Sequence, residues 1–414
     1  MNENAGLKKK NVLFFIPDFP VISETFIERE VSKLLQLDNL DINVLAIRKS
    51  TGTISPNVLN KTHYLRLNLF SSVLGGLNCL LRPLRFFKAF AVVLQNGNRS
   101  LTGNLYIFLK SIGYSWIIKE LKPDFILCHF LSEPSTIILI VSYLLDIPFG
   151  ISAHARDVFG KSGDLRLNSE LVKQKAERAK FITVCNRRAY EECLTLVSEN
   201  DKPKLYLNYH GIDFERMPKA EDNSSTVRSG ISIFSVGRLV EKKGFKYLVE
   251  ASRILKDEGV LHTIKVAGPG PLFEELKKQI SDYGLQNTFF ILGDGKGIPN
   301  IQAMEELSKA DIFVLPSIET ADKDAEGIPN TILEAAYFKK PIISTKSGSI
   351  PEFVENNVTG ILVDQKNPEQ LAKAIKILSM DKAMAHILGE GAYRELTLKF
   401  DLSKNVRNLE NLLL

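Results

Sequence analysis

Short apolar runs alternate with amphipathic stretches along almost the whole chain. In the first half, VLFFI (12–16), INVLAI (42–47), FILCHF (125–130), FGISAHA (149–155), FITVC (181–185) and KLYLNY (204–209) have the marks of buried strands. They are short and rich in β-branched and aromatic residues. Between the first two, Ile27, Val31, Leu34 and Leu35 recur at helical spacing behind Ser23, whose side chain suits an N-cap. The second half restarts the alternation with ISIFSVG (231–237), HTIKVAG (262–268), TFFILG (288–293), IFVLP (312–316), PIIST (341–345) and GILVD (360–364). A helix is predicted from Phe245 to about Glu258, and another ending near Gly284. Strand and helix in turn predict an α/β chain built on doubly wound parallel sheets.

A chain of 414 residues exceeds what one hydrophobic core ordinarily supports, so two domains are expected. The polar stretch PKAEDNSSTVRSG (218–230) reads as the linker. The expected division is 1–217, then 218–395, with a C-terminal helix over 396–414 packing back toward the first domain. Two Rossmann-like domains facing one another would enclose a cleft at the carboxyl ends of their strands, where ligands of this architecture bind.

Composition narrows the class. A chain 44% hydrophobic and 24% charged is ordinary for a soluble globular protein. Cys79, Cys128, Cys185 and Cys193 form no CxxC pair and read as reduced core thiols of a cytoplasmic protein. The first apolar run is too short for a signal-peptide core. The longest charge-free stretch, Leu67 to Leu81, falls short of the ~20 residues that span a bilayer. Net charge is +5, yet residues 42–119 hold ten Lys and Arg and no acid, which leaves the rest of the chain at −5. Arg82, Arg85 and Lys88 stand at i, i+3 and i+6, with Phe86, Phe87, Phe90, Val93 and Leu94 nearby. Cations and aromatics so mixed predict peripheral contact of 42–119 with an anionic membrane; nucleic acid is not expected as a partner.

Two motifs carry chemistry. In VGRLVEKKG (236–244), Arg238 and Lys243 stand at a strand-to-helix junction, beside a helix amino end, which suits a diphosphate. In EGIPNTILE (326–334), Pro329 fits a first helical turn, so Glu326 lies at the helix entry and Glu334 within it. Were the whole segment helical, the two Cα atoms would lie ~12 Å apart, beyond the ~5–9.5 Å between paired carboxylates that hydrolyse glycosides. That span suits the two ends of an extended ligand bearing hydroxyls. GPGPLF (268–273) lacks the third glycine of a dinucleotide fingerprint, GDGKG (293–297) reads as a loop, and no cluster shows metal-ligand spacing.

The segments VGRLVEKKGFKYLVEA, AGPGPLFEEL, ADIFVLPS and EGIPNTILEAAYFKKPIISTKSGSIPEFVENNVTGILVD occur in that order over roughly 231–380. Together they resemble the C-terminal half of glycosyltransferase family 4, retaining enzymes of the GT-B fold. ETADKDAEGIPN resembles the subgroup that builds colanic-acid-type exopolysaccharides. PDFPVISETFIEREV, HF (129–130) and SAHARDVF (152–159) resemble it more loosely.

The resemblance implies that Arg238 and Lys243 grip a donor diphosphate and that Glu334 binds the nucleotide ribose. It implies that Glu326 sits by the donor sugar, with backbone amides around Gly327, and that His154 reaches that sugar from the N-terminal domain. His154 and Glu326 are thereby the implied catalytic residues, with Asp157 on the acceptor side. His210-Gly211-Ile212-Asp213 occupies the turn before the linker and reads as structural. Many members carry a Gly-Gly pair after the first strand. Here that loop reads Phe19-Pro20-Val21-Ile22-Ser23-Glu24-Thr25, which assigns Ser23 and Glu24 to the acceptor side instead.

The implied activity is metal-independent, cofactor-free transfer from a UDP- or GDP-sugar to a hydroxyl of a growing glycan. The basic, aromatic region 42–119 points to a polyprenyl-diphosphate-linked acceptor held at the inner face of the cell membrane, and the expected setting is exopolysaccharide, capsule or lipopolysaccharide synthesis. Two other readings stay open: another GT-B enzyme such as a nucleotide-sugar epimerase, and a non-catalytic assembly protein.

Overall fold

The computed structural model describes residues 9–21, 24–64, 67–95, 100–154, 157–158, 169–219, 230–322 and 324–414. The chain divides into two compact units, residues 1–210 with 402–414, and residues 211–401.

Unit 1 contains β1 (Lys10–Phe19), α1 (Thr25–Leu34), β2 (Leu40–Lys49), α2 (Pro56–Leu59), β3 (Thr62–Tyr64), α3 (Leu69–Leu80), α4 (Pro83–Gln95) and α5 (Leu101–Leu121). It continues with β4 (Phe125–His129), α6 (Glu133–Leu145), β5 (Phe149–Ala153), α7 (Ser169–Arg178), β6 (Ile182–Val184), α8 (Arg187–Leu196) and β7 (Leu205–Leu207). Unit 2 contains β8 (Ile231–Val236), α9 (Phe245–Asp257), β9 (His262–Ala267), α10 (Phe273–Asp282), β10 (Phe289–Leu292) and α11 (Asn300–Lys309). Its remaining elements are β11 (Ile312–Leu315), α12 (Asn330–Tyr337), β12 (Ile342–Thr345), β13 (Ile361–Val363), α13 (Pro368–Met380) and α14 (Lys382–Lys399). The chain then returns to unit 1 as α15 (Leu402–Leu413).

Unit 1 has a parallel sheet in the order β3-β2-β1-β4-β5-β6-β7 among the described residues. β1 is buried on both faces, which is why Val12 to Ile16 read as one apolar run rather than an alternation. The pleat still sorts them. Leu13 and Phe15 join Ile126 and Cys128 in a core under α5 and α6, whereas Val12, Phe14 and Ile16 join Leu127, α1 and α15 on the other side. The apolar face of α1, Ile27, Val31 and Leu34, is buried in that second core, where Leu402, Val406, Leu409 and Leu413 also pack. The expected cap Ser23 lies outside the described residues; the N-cap position falls to Glu24, which makes no side-chain capping bond.

One strand was not foreseen. Thr62–Tyr64 adds β3 beside Val44–Ala46, and three half-buried residues are too short and too polar to register as a strand by pattern. All four cysteines are free thiols.

The basic stretch needs correction. Arg82 precedes α4, and Arg85 is taken up by an ion pair with Asp146 at 3.1 Å, so the expected triad is not three free cations on one helix. Lys61 pairs with Asp41, Arg48 with Asp18 and Lys110 with Glu133. Acids outside the stretch in sequence thus neutralise several of its cations in the fold. What stays exposed is apolar: Leu69, Phe70, Val73 and Leu77 on α3, Leu84, Phe87 and Leu94 on α4, and Leu101, Leu105 and Leu109 on α5. Arg82 and Lys88 are exposed among them. Among the described residues no helix is long and apolar enough to cross a membrane.

Unit 2 has a parallel sheet in the order β10-β9-β8-β11-β12-β13 among the described residues. The chain moves outward from β8 in one direction, then crosses to β11 on the other side. The carboxyl ends of β8 and β11 therefore flank the point where strand order reverses, the place where open α/β sheets hold ligands.

Candidate functional site

The loops after β8 and β11 are built to touch. Gly244 ends the first of them at φ +66°, and a Cβ there would stand 2.0 Å from the Pro316 carbonyl oxygen. Glycine alone permits that approach. Ile318 N donates to the Lys242 carbonyl at 2.8 Å and closes the contact. Beyond β12, Gly348 at φ +53° lies against the Glu326 carbonyl, to which Ser349 N donates at 3.0 Å. The main chain of Glu326 is thus fixed from the neighbouring loop.

These loops bring Lys243 and Glu326 together. Lys243 is buried, its methylenes lie over Gly237, and its Nζ stands 3.2 Å from Glu326 Oε1. The contact is an ion pair without hydrogen-bond alignment, so Glu326 Oε1 keeps an unused acceptor. Lys242 adds a second cation, 3.1 Å from Asp324 Oδ1 and 4.0 Å from Glu326 Oε1. Arg238 is exposed on the same loop as both lysines.

Helix α12 begins only at Asn330, so Glu326 and Gly327 lie in the approach to the helix rather than within it. Glu334 is buried one turn inside. The N-cap residue is Pro329, which offers no side-chain cap to the first amides. Around this helix start, Ser317 Oγ, Thr331 Oγ1, Ser347 Oγ and Glu326 Oε1 are buried with no hydrogen-bond partner. Four such atoms in one loop cluster are unusual, because a buried polar group left unmade costs about 1–3 kcal/mol. Gly327 sits beside them in open space: an added Cβ would meet nothing within 4 Å.

Unit 1 gathers a different set at the carboxyl ends of β4 and β5. His129 Nδ1 and His154 Nε2 are 3.2 Å apart, and His154 Nδ1 and His210 Nε2 are also 3.2 Å apart. Glu30 Oε1, from α1, faces His129 Nε2 at 3.6 Å. Phe26 stacks on His210 at 4.0 Å and leans over His154 at 4.9 Å, with Phe130 on His154 at 4.9 Å and Phe14 at 5.6 Å from His129. Burial among these rings pushes His129 down to about 3 and His210 down to about 4, and holds His154 well below the usual histidine range. It pushes Glu30 up to about 8.

Asp157 lies beside this chain and ties its loops together. One carboxylate oxygen accepts from His154 N at 2.8 Å and the other from Leu131 N. Burial raises its pKa to about 7 against the pull of those amides and of Lys175. Lys175 Nζ donates to the Leu131 and Ser132 carbonyls at 2.6 and 3.0 Å. Glu24 is half-buried at the start of α1, and Ser23 lies outside the described residues.

His154, Cys185 and His210 bring donor atoms within 4.8 Å of one another, a possible nitrogen–sulfur cation set. The histidine contact within it is already a hydrogen-bond distance. A surface cavity of about 500 Å³, lined by Asp146, Arg178, Lys180 and Lys204 among others, opens at the amino ends of β5 to β7, away from all these residues.

Sequence reasoning passed over Lys242, Glu30 and the joint position of His129 and His210. Signals existed for two of them. Only six histidines occur in the chain, and three fall at carboxyl ends of predicted strands. Glu30 sits between Ile27 and Leu34 at the spacing of one helix face, where an acid is out of place.

Residues 220–395 match the family Glycosyl transferases group 1 and form a domain of it. The chain is 38% identical over 153 residues to the amylovoran biosynthesis glycosyltransferase AmsK of Erwinia amylovora, covering 37% of each chain. It is 35% identical over 179 residues to the putative colanic acid biosynthesis glycosyltransferase WcaL of Escherichia coli K12, covering 43% of each. The aligned stretches therefore span about two fifths of these relatives' length. A glycosyltransferase from Rickettsia africae, solved by crystallography, superposes with a TM-score of 0.69 over 98% of both chains at 19% identity, a likeness of fold. The two doubly wound units are those of GT-B proteins.

Proposed function

We propose that the protein is a retaining glycosyltransferase. It moves a sugar from a UDP- or GDP-sugar to a hydroxyl of a growing, lipid-linked glycan in exopolysaccharide or lipopolysaccharide synthesis, without a metal ion. The carrying observation is the set of unpartnered buried atoms Ser317 Oγ, Thr331 Oγ1, Ser347 Oγ and Glu326 Oε1, beside Lys243 and the open start of α12. Hydroxyls and phosphate oxygens are the ligand groups that such a mixture of donors, acceptors and cations would satisfy together. The group 1 domain and the relatives named for exopolysaccharide synthesis support the same reading.

In this mechanism negative charge collects on the departing diphosphate. Lys243, Lys242, Arg238 and the first amides of α12 neutralise it, which is the work a divalent ion does elsewhere. Before donor binds, Glu326 holds Lys243 at 3.2 Å. A sugar hydroxyl that takes Glu326 would release the lysine to the phosphate, so sugar and diphosphate would be read by one exchange. Glu334 would hold the ribose. The leaving phosphate would accept the acceptor's proton, giving front-face transfer with retention.

The acceptor would be met at an anionic membrane surface by the exposed apolar stripes of α3, α4 and α5, with Arg82 and Lys88 among them. Vesicle flotation tests this part. A Leu69→Glu, Phe70→Glu, Phe87→Glu variant should lose binding to anionic vesicles with its melting temperature unchanged, and undiminished binding would sink it.

A panel of nucleoside-diphosphate sugars tests the rest. The true donor at a hundredfold its Kd adds ~2.7 kcal/mol of stability. Transfer of labelled sugar to a lipid-linked acceptor should follow with that donor only. If no nucleotide stabilises the folded protein, the reading fails; product formed without acceptor would point to an epimerase instead.

A further inference from the structure

Three histidines meet in unit 1, and they meet end to end. Ring centroids of His129 and His154 are 5.4 Å apart with planes within 9°, and those of His154 and His210 are 5.2 Å apart within 22°. With nitrogens only 3.2 Å apart at each junction, the rings lie edge to edge in a ribbon rather than face to face. Every ring has the same polarity. Nε2 points toward Glu30 and Nδ1 points away, from His129 through His154 to His210. At the inner end, Glu30 Oε1 and His129 Nε2 are both buried without a hydrogen-bond partner and face each other at 3.6 Å. A small closing of that gap satisfies both. The outer end is Nδ1 of His210, a residue only half-buried.

We propose that Glu30, His129, His154 and His210 act as one hydrogen-bonded unit in which Glu30 sets the tautomer of all three rings. The ring nitrogen offered to a substrate is then Nδ1 of His210, as a proton donor, and His154 is a positioning residue. A neutral imidazole has one donor and one acceptor nitrogen, so fixing either end of the ribbon fixes every member. A protonated Glu30 donates to His129 Nε2. His129 Nδ1 must then carry hydrogen and donate to His154 Nε2, and His154 Nδ1 likewise donates to His210 Nε2. Both ring nitrogens of His154 are thereby engaged, and none remains for a sugar. When Glu30 gives up its proton, each ring accepts one hydrogen on Nε2 and passes one from Nδ1. One proton leaves from His210, and its Nδ1 becomes an acceptor.

The neutral ribbon is the form that burial favours, since the carboxyl is driven up and the rings are driven down. Burial is what raises Glu30. The other charged groups of α1 are Glu28, Arg29 and Lys33, and those of α15 packed on it are Lys404, Arg407 and Glu410. Burial comes first for all three rings, with His210 acting further on His129, and His210 and His129 on His154. The role given to His210 rests on the reading of the protein as a glycosyltransferase; the tautomer order does not.

The test uses the full chain labelled with nitrogen-15 at histidine. Long-range proton–nitrogen spectra near neutral pH read which nitrogen of each ring carries hydrogen. His63, His262 and His386 lie outside the ribbon and report that the fold is intact. Hydrogen on Nδ1 of all three rings is expected, kept in Glu30→Gln, whose amide still donates, and scrambled in Glu30→Ala. Mixed or Nε2-bound hydrogen in the unaltered protein overturns the ribbon, as does a Glu30→Ala spectrum identical to it. Nitrogen shifts of metal-bound imidazole would overturn it too. With the donor identified, His210→Phe should lower kcat/KM by about tenfold or more, the loss expected of one removed hydrogen bond. Unaltered kinetics in that variant would overturn the role of His210 while leaving the ribbon standing.

Discussion

Replacing Glu30 by glutamine should change how stability depends on pH, with little effect on the fold. Glu30 titrates at about 8 in the folded protein against 4.5 for an ordinary glutamate. Between those values the folded state holds a proton that the unfolded chain has released, so stability falls as pH rises. Each pH unit in the window is worth about 1.36 kcal/mol, and the whole window at most about 5 kcal/mol. The histidines work oppositely. Their depressed pKa values give stability that is present above 6.5 and lost as pH falls. Asp157 contributes a fall of its own up to about 7. Both of these are shared by the variant and cancel in the comparison.

From pH 6.5 to 8, therefore, the unaltered protein should lose about 2 kcal/mol that Glu30→Gln keeps. The measurement is urea unfolding at several pH values, followed by fluorescence of Trp116. That residue is the chain's one tryptophan and lies in unit 1, so it reports the unit that contains Glu30. Parallel pH profiles for the two proteins would refute the buried, protonated carboxyl.

Further expectations concern unit 2 and α15. Gly244→Ala forces a side chain into a left-handed position against the Pro316 carbonyl and should destabilise unit 2 by roughly 2 kcal/mol or more by calorimetry. Gly327→Ala meets nothing, so its melting temperature should stay put while donor stabilisation falls; an unchanged donor response would mean that the open space beside it holds no ligand. Lys243→Met should cost roughly 1–3 kcal/mol by stranding Glu326, with about 0.5–3 kcal/mol of coupling recovered in the Lys243→Met, Glu326→Gln double variant. Additive losses would show the pair to be inert. Leu409→Ala should lower the transition read by Trp116 by about 2–5 kcal/mol, since Leu409 is 1% exposed in the core of unit 1. A loss confined to unit 2 would contradict that packing.

Most of the strands were legible because parallel strands buried on both faces leave unbroken apolar runs. Val12 to Ile16 and Ile312 to Leu315 are of this kind. The loops after β8 and before α12 stood out as well, because each is short contiguous text: VGRLVEKKG follows β8 and EGIPN precedes α12. What pattern could not reach was contact between distant segments. Arg85 and Asp146 are 61 positions apart, so the charge of 42–119 looked freer than the fold leaves it. The histidine ribbon draws on α1, β4, β5 and the end of β7, and no local spacing records such a meeting. The Lys243–Glu326 pair escaped for the same reason, although each partner was picked out alone.

The return of the chain to unit 1 at Leu402 has a consequence for synthesis. Unit 2 is one continuous stretch and can fold as soon as it has emerged from the ribosome. Unit 1 cannot be finished then. The face of α1 and β1 that receives Leu402, Val406, Leu409 and Leu413 stays uncovered while about 190 intervening residues are made, about 10–40 s at ordinary elongation rates. The first-made half of the protein is the last to be completed, and a nascent chain stopped before Leu402 would carry every residue of unit 2 yet expose the apolar face of α1 and β1.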